Sequence, residues 1–297
     1  MANNNKKILI TGAAGLIGRE VRAQLEAKGY AVTSIDNNSR FPNYRPDGLI
    51  RSNLEEYLNS KVNTFDYVYH MAAINGTASF YKKPNQVMSN NISADFSVFK
   101  FVESNPNTKL VYASSSEVVA GTDIFPTPEI IDISITNIHN PRWSYRLPKV
   151  VAENYLTNSN IKYNIIRFFN VYSEHSGAGH FLKDIVEKLK NKNYELQSPD
   201  ETRSFCYVYD AVEAMIAIAE QPSNKIVNIG SDEEITILEA ADIIAAALDL
   251  TVKWNTTPSL EGSSKHRRPD ISRLLSLYPT FNPETFKSVI DRIKDKL

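Results

Sequence analysis

The sequence predicts an α/β protein: a doubly wound parallel sheet with a smaller C-terminal lobe. Three observations carry this. A short apolar run near the start breaks into closely spaced glycines. Strand-like runs alternate with helix-like stretches as far as Phe168. Residues 173–180, rich in Gly, Ser and His, then lose all periodicity.

Lys7–Thr11 (KILIT) is the first expected strand, and residues 19–29 carry Val21, Leu25 and Ala27 among charges, as an amphipathic helix does. Residues 30–36 (YAVTSID), 67–72 (YVYHMA), 109–113 (KLVYA) and 164–168 read as further strands separated by helix-like segments. Strands alternating with helices imply parallel pairing through right-handed crossovers. The aperiodic stretch marks a lobe boundary, dividing residues 1–172 from a smaller lobe of residues 173–297, some segments of which are expected to pack back on the first. Beyond it come helices at 181–190 and 210–220, a strand at 225–229, a helix at 236–248 and a basic, proline-containing tail at 265–270. The Asn/Lys-rich start is expected to be frayed.

With 297 residues, 42% of them hydrophobic, the chain can bury a sizeable core. Its 33 basic and 34 acidic side chains leave a formal charge of -1, so no global field draws it to nucleic acid or to an anionic membrane. The single cysteine, Cys206, excludes an intrachain disulfide and a multi-cysteine zinc cluster, and the polar start lacks the apolar core of a signal peptide; a cytoplasmic location is expected. The longest apolar stretches, 211–219 and 240–250, are interrupted by acids and fall well short of the roughly 20 residues that span a bilayer. His70, His139, His175, His180 and His266 are scattered without ligand spacing, and no metal is expected.

Residues 11–18 (TGAAGLIG) put Gly12, Gly15 and Gly18 between the first strand and the first helix, where the backbone must turn tightly, approach a pyrophosphate and let helix pack on strand. Asp36 ends the second strand, where a carboxylate accepts from an adenosine ribose and repels a 2′-phosphate, which favours NAD over NADP. Residues 36–39 also read as a plain polar turn, and Arg40 could serve a 2′-phosphate. Tyr145 and Lys149 lie four apart in SYRLPKVVAENY, a segment with helical apolar spacing, so both project from one helix face. A cation beside the phenol would lower its pKa toward the neutral range a base needs.

Taken in order, the glycine turn, HMAA (70–73), SSSEVV (114–119), YxxxK and RFFNVY (167–172) resemble the extended short-chain dehydrogenase/reductases acting on sugar nucleotides, the NAD-dependent epimerase/dehydratase family, whose fold is Rossmann-type. The resemblance selects Ser115, Tyr145 and Lys149 as the catalytic set. It extends the cofactor site to Leu16, Ile17, Asn37, Asn53, Leu54, Met71, Ala72, Ala73, Asn91 and Phe168, besides Tyr145 and Lys149 themselves. Residues 200–210, 227–241 and 267–272 are similar to the substrate lobes of GDP-mannose 3,5-epimerase and UDP-glucuronate decarboxylase, which implies that Arg203 and Arg267 or Arg268 clamp a diphosphate and that Asn170 donates to it. A nucleotide-sugar substrate and a homodimer pairing through residues 91–102 and 145–157 are also implied.

Departures are visible. The family's VYG reads Val118-Val119-Ala120, and Pro148, which has no backbone donor, precedes the motif lysine. GDP-mannose 3,5-epimerase has a catalytic cysteine where this chain has Glu117, so the resemblance stops short of that reaction; Cys206, in an apolar run, reads as a packing thiol. By the resemblance, Tyr145 takes a sugar hydroxyl proton while hydride passes to NAD, with Ser115 bonding the reacting oxygen. A 4-epimerase then returns hydride to the other face. A 4,6-dehydratase removes a carbon-bound proton with an acidic residue, and a decarboxylase lets a β-keto acid lose carbon dioxide. Glu117 stands where dehydratases and the decarboxylase have Glu, yet Ser116 replaces the Asp that dTDP-glucose dehydratases place before it. Glu117 also reads as an orienting carboxylate without chemistry. The expected enzyme is an epimerase working through a keto-sugar, with dehydratase or decarboxylase using Glu117 as alternatives. A keto-sugar reductase or a non-catalytic NAD-binding regulator stays further off.

Overall fold

A computed structural model describes residues 5–60, 64–135, 137–260 and 262–297. Met1 to Asn4, within the expected frayed start, lie outside the described residues. Seven strands form the central sheet: β1 (Lys7–Thr11), β2 (Ala31–Asp36), β3 (Leu49–Arg51), β4 (Tyr67–His70), β5 (Lys109–Ser115), β6 (Lys162–Phe168) and β7 (Lys225–Ile229). Their order is β7-β6-β5-β4-β1-β2-β3, and every pairing is parallel. Strands buried on both faces need continuous apolar runs, and Ile8, Leu9 and Ile10 or Leu110 and Val111 supply them.

The pleat sends alternate residues to two cores. Ile8, Ile10, Val111 and Ile166 meet α1 (Leu16–Ala27), while Leu9, Val68, Leu110 and Ile165 meet α2 (Leu54–Ser60) and further helices on the other face. A short α3 (Thr77–Lys82) leads into α4 (Pro84–Glu103), and α5 (Trp143–Thr157) packs beside α4. α5 continues through Pro148, which leaves the Ser144 carbonyl without its helical donor.

After Tyr172 the chain forms α6 (Phe181–Lys190), α7 (Val208–Glu220), α8 (Ile237–Ala247), a short α9 (Ser272–Leu277) and α10 (Phe286–Ile293). α8 starts from a reciprocal cap in which Thr236 accepts from the Glu239 N–H and Glu239 reaches back. α6, α8 and α10 pack together as a second lobe, whereas β7 pairs with β6 and α7 packs on α1. The second half of the chain thus completes the first half's sheet. Among the described residues no helix is long and apolar enough to cross a membrane.

Two differences from the expected elements bear on the site. β5 runs two residues beyond Ala113 because Ser114 and Ser115 still pair with Arg167 and Phe168, so Ser115 ends a strand and its position is fixed. β4 stops at His70, freeing Met71 to Ala73 to line a cleft.

Candidate functional site

A cleft of about 1260 Å³ opens at the carboxyl ends of the strands, between the sheet and the second lobe. In a doubly wound sheet this is where a ligand settles, since the crossovers diverge at the point where the strand order reverses, here between β1 and β4. Of the site residues the sequence nominates, all line this cleft except Lys149 and Arg268.

The glycine turn fits a pyrophosphate. Gly12 has φ +69°, and a Cβ there would stand 2.5 Å from the Ala72 nitrogen. A Cβ on Gly18 would fall on the Gly12 carbonyl oxygen, so α1 can start close to the strand only without one. Asp36 buttresses the turn: its carboxylate accepts from the Ala14 N–H at 3.0 Å and from the Asn38 N–H at 2.6 Å, keeping lone pairs for a ribose. The Arg40 guanidinium is already bonded to the carbonyls of Asn75 and Ala178, both at 3.1 Å, and joins three loops around the cleft. Asn91 holds the loop after β4, accepting from the Ile74 N–H at 2.7 Å and donating to the Ile74 carbonyl at 3.1 Å.

Ser115 ends β5 and caps the short turn Ser116–Val119, its hydroxyl oxygen accepting from the Glu117 N–H at 3.2 Å. That leaves its hydrogen for Tyr145, with which it is hydrogen-bonded. The Tyr145 ring stacks on Phe80 with centroids 4.9 Å apart, and the residue is buried. Burial pushes its phenol above the ordinary value, the Ser115 hydrogen bond opposing, so the proton stays on at neutral pH. The Lys149 ammonium donates to the Tyr112 hydroxyl at 2.9 Å and lies 3.9 Å from Asp95. A buried cation needs a counter-charge, and Asp95 supplies it.

The substrate end is built from arginines. Glu117 is bonded to Arg142 and lies 2.9 Å from the Arg267 Nη1. Burial pushes its carboxyl up, but Arg267 and Arg142 overcome this and hold it down to about 2. Arg267, expected to clamp a diphosphate, therefore holds Glu117 with one nitrogen. Its Nε and Nη2 are buried without partners among the described residues and remain available to an anion. Arg203 is bonded to Glu201 and donates to the carbonyls of Thr202 at 2.7 Å and Ser264 at 3.0 Å; burial and then Arg267 bring it down to about 10, Glu201 opposing. Arg268 is off the cleft wall, 3.7 Å from Glu234, so of the neighbouring pair Arg267 faces the site. Asn170, at φ 43°, donates to the Ser204 carbonyl at 3.2 Å.

Sequence reasoning missed Arg142, Asp95 and Tyr112. Arg142 stands three residues before Tyr145, a helical turn away. Asp95 interrupts the buried stripe Val87, Asn91, Val98, Phe99 and Val102 of α4, and an acid on an apolar face was a legible signal. Tyr112 lies inside an apolar strand and carries none.

Residues 8–230 match the NAD dependent epimerase/dehydratase family. The UDP-N-acetyl-α-D-glucosaminuronate decarboxylase of Bacillus cytotoxicus is 29% identical over 91% of this chain and 90% of its own length. A putative UDP-glucose 4-epimerase of Methanocaldococcus jannaschii is 30% identical over 80% of this chain and 81% of its own. The solved UDP-N-acetylglucosamine 4-epimerase of Methanobrevibacter ruminantium M1, in complex with UDP-N-acetylmuramic acid, superposes with a TM-score of 0.83 at 25% identity, covering 99% of this chain and 98% of that one. The chain is an enzyme that takes NAD as its cofactor and belongs to the NAD-dependent epimerase/dehydratase family.

Proposed function

We propose that the chain is a sugar-nucleotide epimerase that oxidises a sugar hydroxyl to a transient ketone and restores it with inverted configuration. The observation that carries this is Glu117: it lies beside Ser115 and Tyr145, but its carboxylate is tied up in ion pairs with Arg142 and, at 2.9 Å, Arg267, which hold it well below the usual carboxylate range and make it a poor base for a carbon-bound proton. Rotation of a keto-sugar needs no such base; elimination of water does. Ser115 bonds the reacting oxygen, and Tyr145, which must first give up its own proton, then accepts the hydroxyl proton as a phenolate and returns it to the restored hydroxyl. NAD, when bound by the glycine turn and Asp36, supplies the hydride acceptor and donor. Residues up to 172 hold the cofactor and those beyond it mainly hold the nucleotide, with Arg203 and Arg267 facing its diphosphate. We also propose a homodimer through α4 and α5, on which Phe96 and Tyr155 stay partly exposed, and a cytoplasmic location for a chain whose single cysteine is a buried free thiol.

A second reading, decarboxylation of a sugar acid, is favoured by the unpartnered Arg267 N–H groups and by the Bacillus cytotoxicus relative. Product mass separates the two. An epimer weighs the same as its substrate, and a decarboxylated product is lighter by carbon dioxide.

A further inference from the structure

Below the cleft floor five polar side chains from three strands and two helices form one chain of contacts: Thr11 on β1, His70 on β4, Asp95 on α4, Tyr112 on β5 and Lys149 on α5. None is more than 2% exposed. The Thr11 hydroxyl lies 2.6 Å from His70 Nδ1, and His70 Nε2 lies 3.0 Å from Asp95 Oδ1. Tyr112 donates to Asp95 Oδ2 at 2.8 Å, and Lys149 donates to the Tyr112 oxygen at 2.9 Å. Burial pulls the His70 pKa down, Asp95 opposing, so the ring is neutral. A carboxylate only accepts, so the ring hydrogen sits on Nε2 and Nδ1 accepts from Thr11. The Thr11, His70 and Tyr112 hydrogens then each have an acceptor, one Lys149 N–H reaches the Tyr112 oxygen, and Asp95 collects two neutral hydrogen bonds while facing one buried cation.

The groups around Lys149 leave Asp95 as its counter-ion. Tyr145 lies one turn back on α5 and Tyr112 on β5; both are neutral. Glu153, one turn on, is taken by Arg167 through bonds of 3.0, 3.2 and 2.6 Å. His70 is neutral behind Asp95. A lone buried ammonium costs several kcal/mol and tends to lose its proton instead. Asp95 also sits on the apolar face of α4, where packing gives no reason for a charge.

We propose that Asp95 is the positioning residue for Lys149: through Tyr112 it keeps the ammonium charged and fixed on α5 one turn from Tyr145, while His70 and Thr11 anchor the carboxylate to the last residue before the phosphate-binding turn. The inference rests on the reading of Tyr145 and Lys149 as the reactive pair, but its test needs no substrate, so the two can fail separately.

The test is an NMR titration of the protein with carbon-13 in its lysine ε-methylenes, the Lys149 signal being identified by its loss in Lys149→Met. Removing an opposite charge at this range shifts a pKa by about one unit or more, so Asp95→Asn should lower the Lys149 midpoint by about that much. His70→Gln replaces one neutral partner by another and should leave the midpoint in place. If Asp95→Asn does not fold, Asp95→Ser, smaller and with a hydroxyl, should show the same fall. An unmoved midpoint in the Asp95 variant, or an equal fall in His70→Gln, overturns the proposal.

Discussion

Replacing Glu117 by Gln separates charge from shape at the centre of the site. The amide keeps the size and one accepting oxygen, but Arg142 and Arg267 lose their shared anion while both stay buried. The fall of the carboxyl from 4.5 to about 2 corresponds to about 3 kcal/mol of preference for the charged form in the fold. That agrees with the roughly 3–5 kcal/mol lost when one partner of a buried ion pair is removed. Because the folded pKa is depressed, this stability is fully present above about pH 4.5 and is lost as pH falls through the folded value. Thermal unfolding of Glu117→Gln should therefore show a melting point lower by roughly 5 °C or more at pH 7, with the gap to wild type narrowing below pH 4.5. Turnover should drop modestly, and no solvent deuterium should enter carbon-bound positions of the wild-type product. A variant as stable as wild type at neutral pH would refute the ion-pair account. A variant that reduces bound NAD yet releases no product, with deuterium at carbon in the wild type, would show that Glu117 is a base.

Tyr145→Phe keeps the ring stacked on Phe80 but removes the proton carrier, and should lower turnover by about a hundredfold or more with NAD affinity nearly unchanged; surviving activity would make Tyr145 a packing residue. Asp36 at the end of β2 should favour NAD over NADP, and calorimetry showing NADP bound as tightly would sink the ribose assignment. Gly12→Ala drives a Cβ to 2.5 Å from the Ala72 nitrogen at a positive φ, so NAD binding by the same calorimetry should be lost, and retained binding would mean that the turn tolerates the side chain. Light scattering should give a dimer, and a monomer at micromolar concentration would rule out the α4 and α5 interface.

Motifs that depend on backbone geometry were legible. The run KILIT into glycines specified β1 and the turn, because only glycine satisfies the close approach to Ala72 and the left-handed φ at Gly12, whereas α1 begins at Leu16, three residues before the expected helical stretch. The alternation of strands and helices gave the sheet. What escaped were partnerships made across the fold. Spacing put Lys149 on one helix face with Tyr145, but not its turn toward Asp95 and Tyr112, which come from α4 and β5 and meet it only after folding. Likewise Arg267 and Glu117 are 150 residues apart, and nothing local to either shows that they pair. The return of β7 to β6 was legible only as a segment packing back, since a strand's partner is not written in its own alternation.

The central claim, a ketone formed and restored without loss of atoms, is tested most directly by mass spectrometry of products from a panel of sugar nucleotides incubated with the NAD-loaded enzyme. An epimerase gives a product isobaric with its substrate and no net consumption of cofactor; a product lighter by water or by carbon dioxide, or one made only with stoichiometric NADH or NADPH, would contradict that reading.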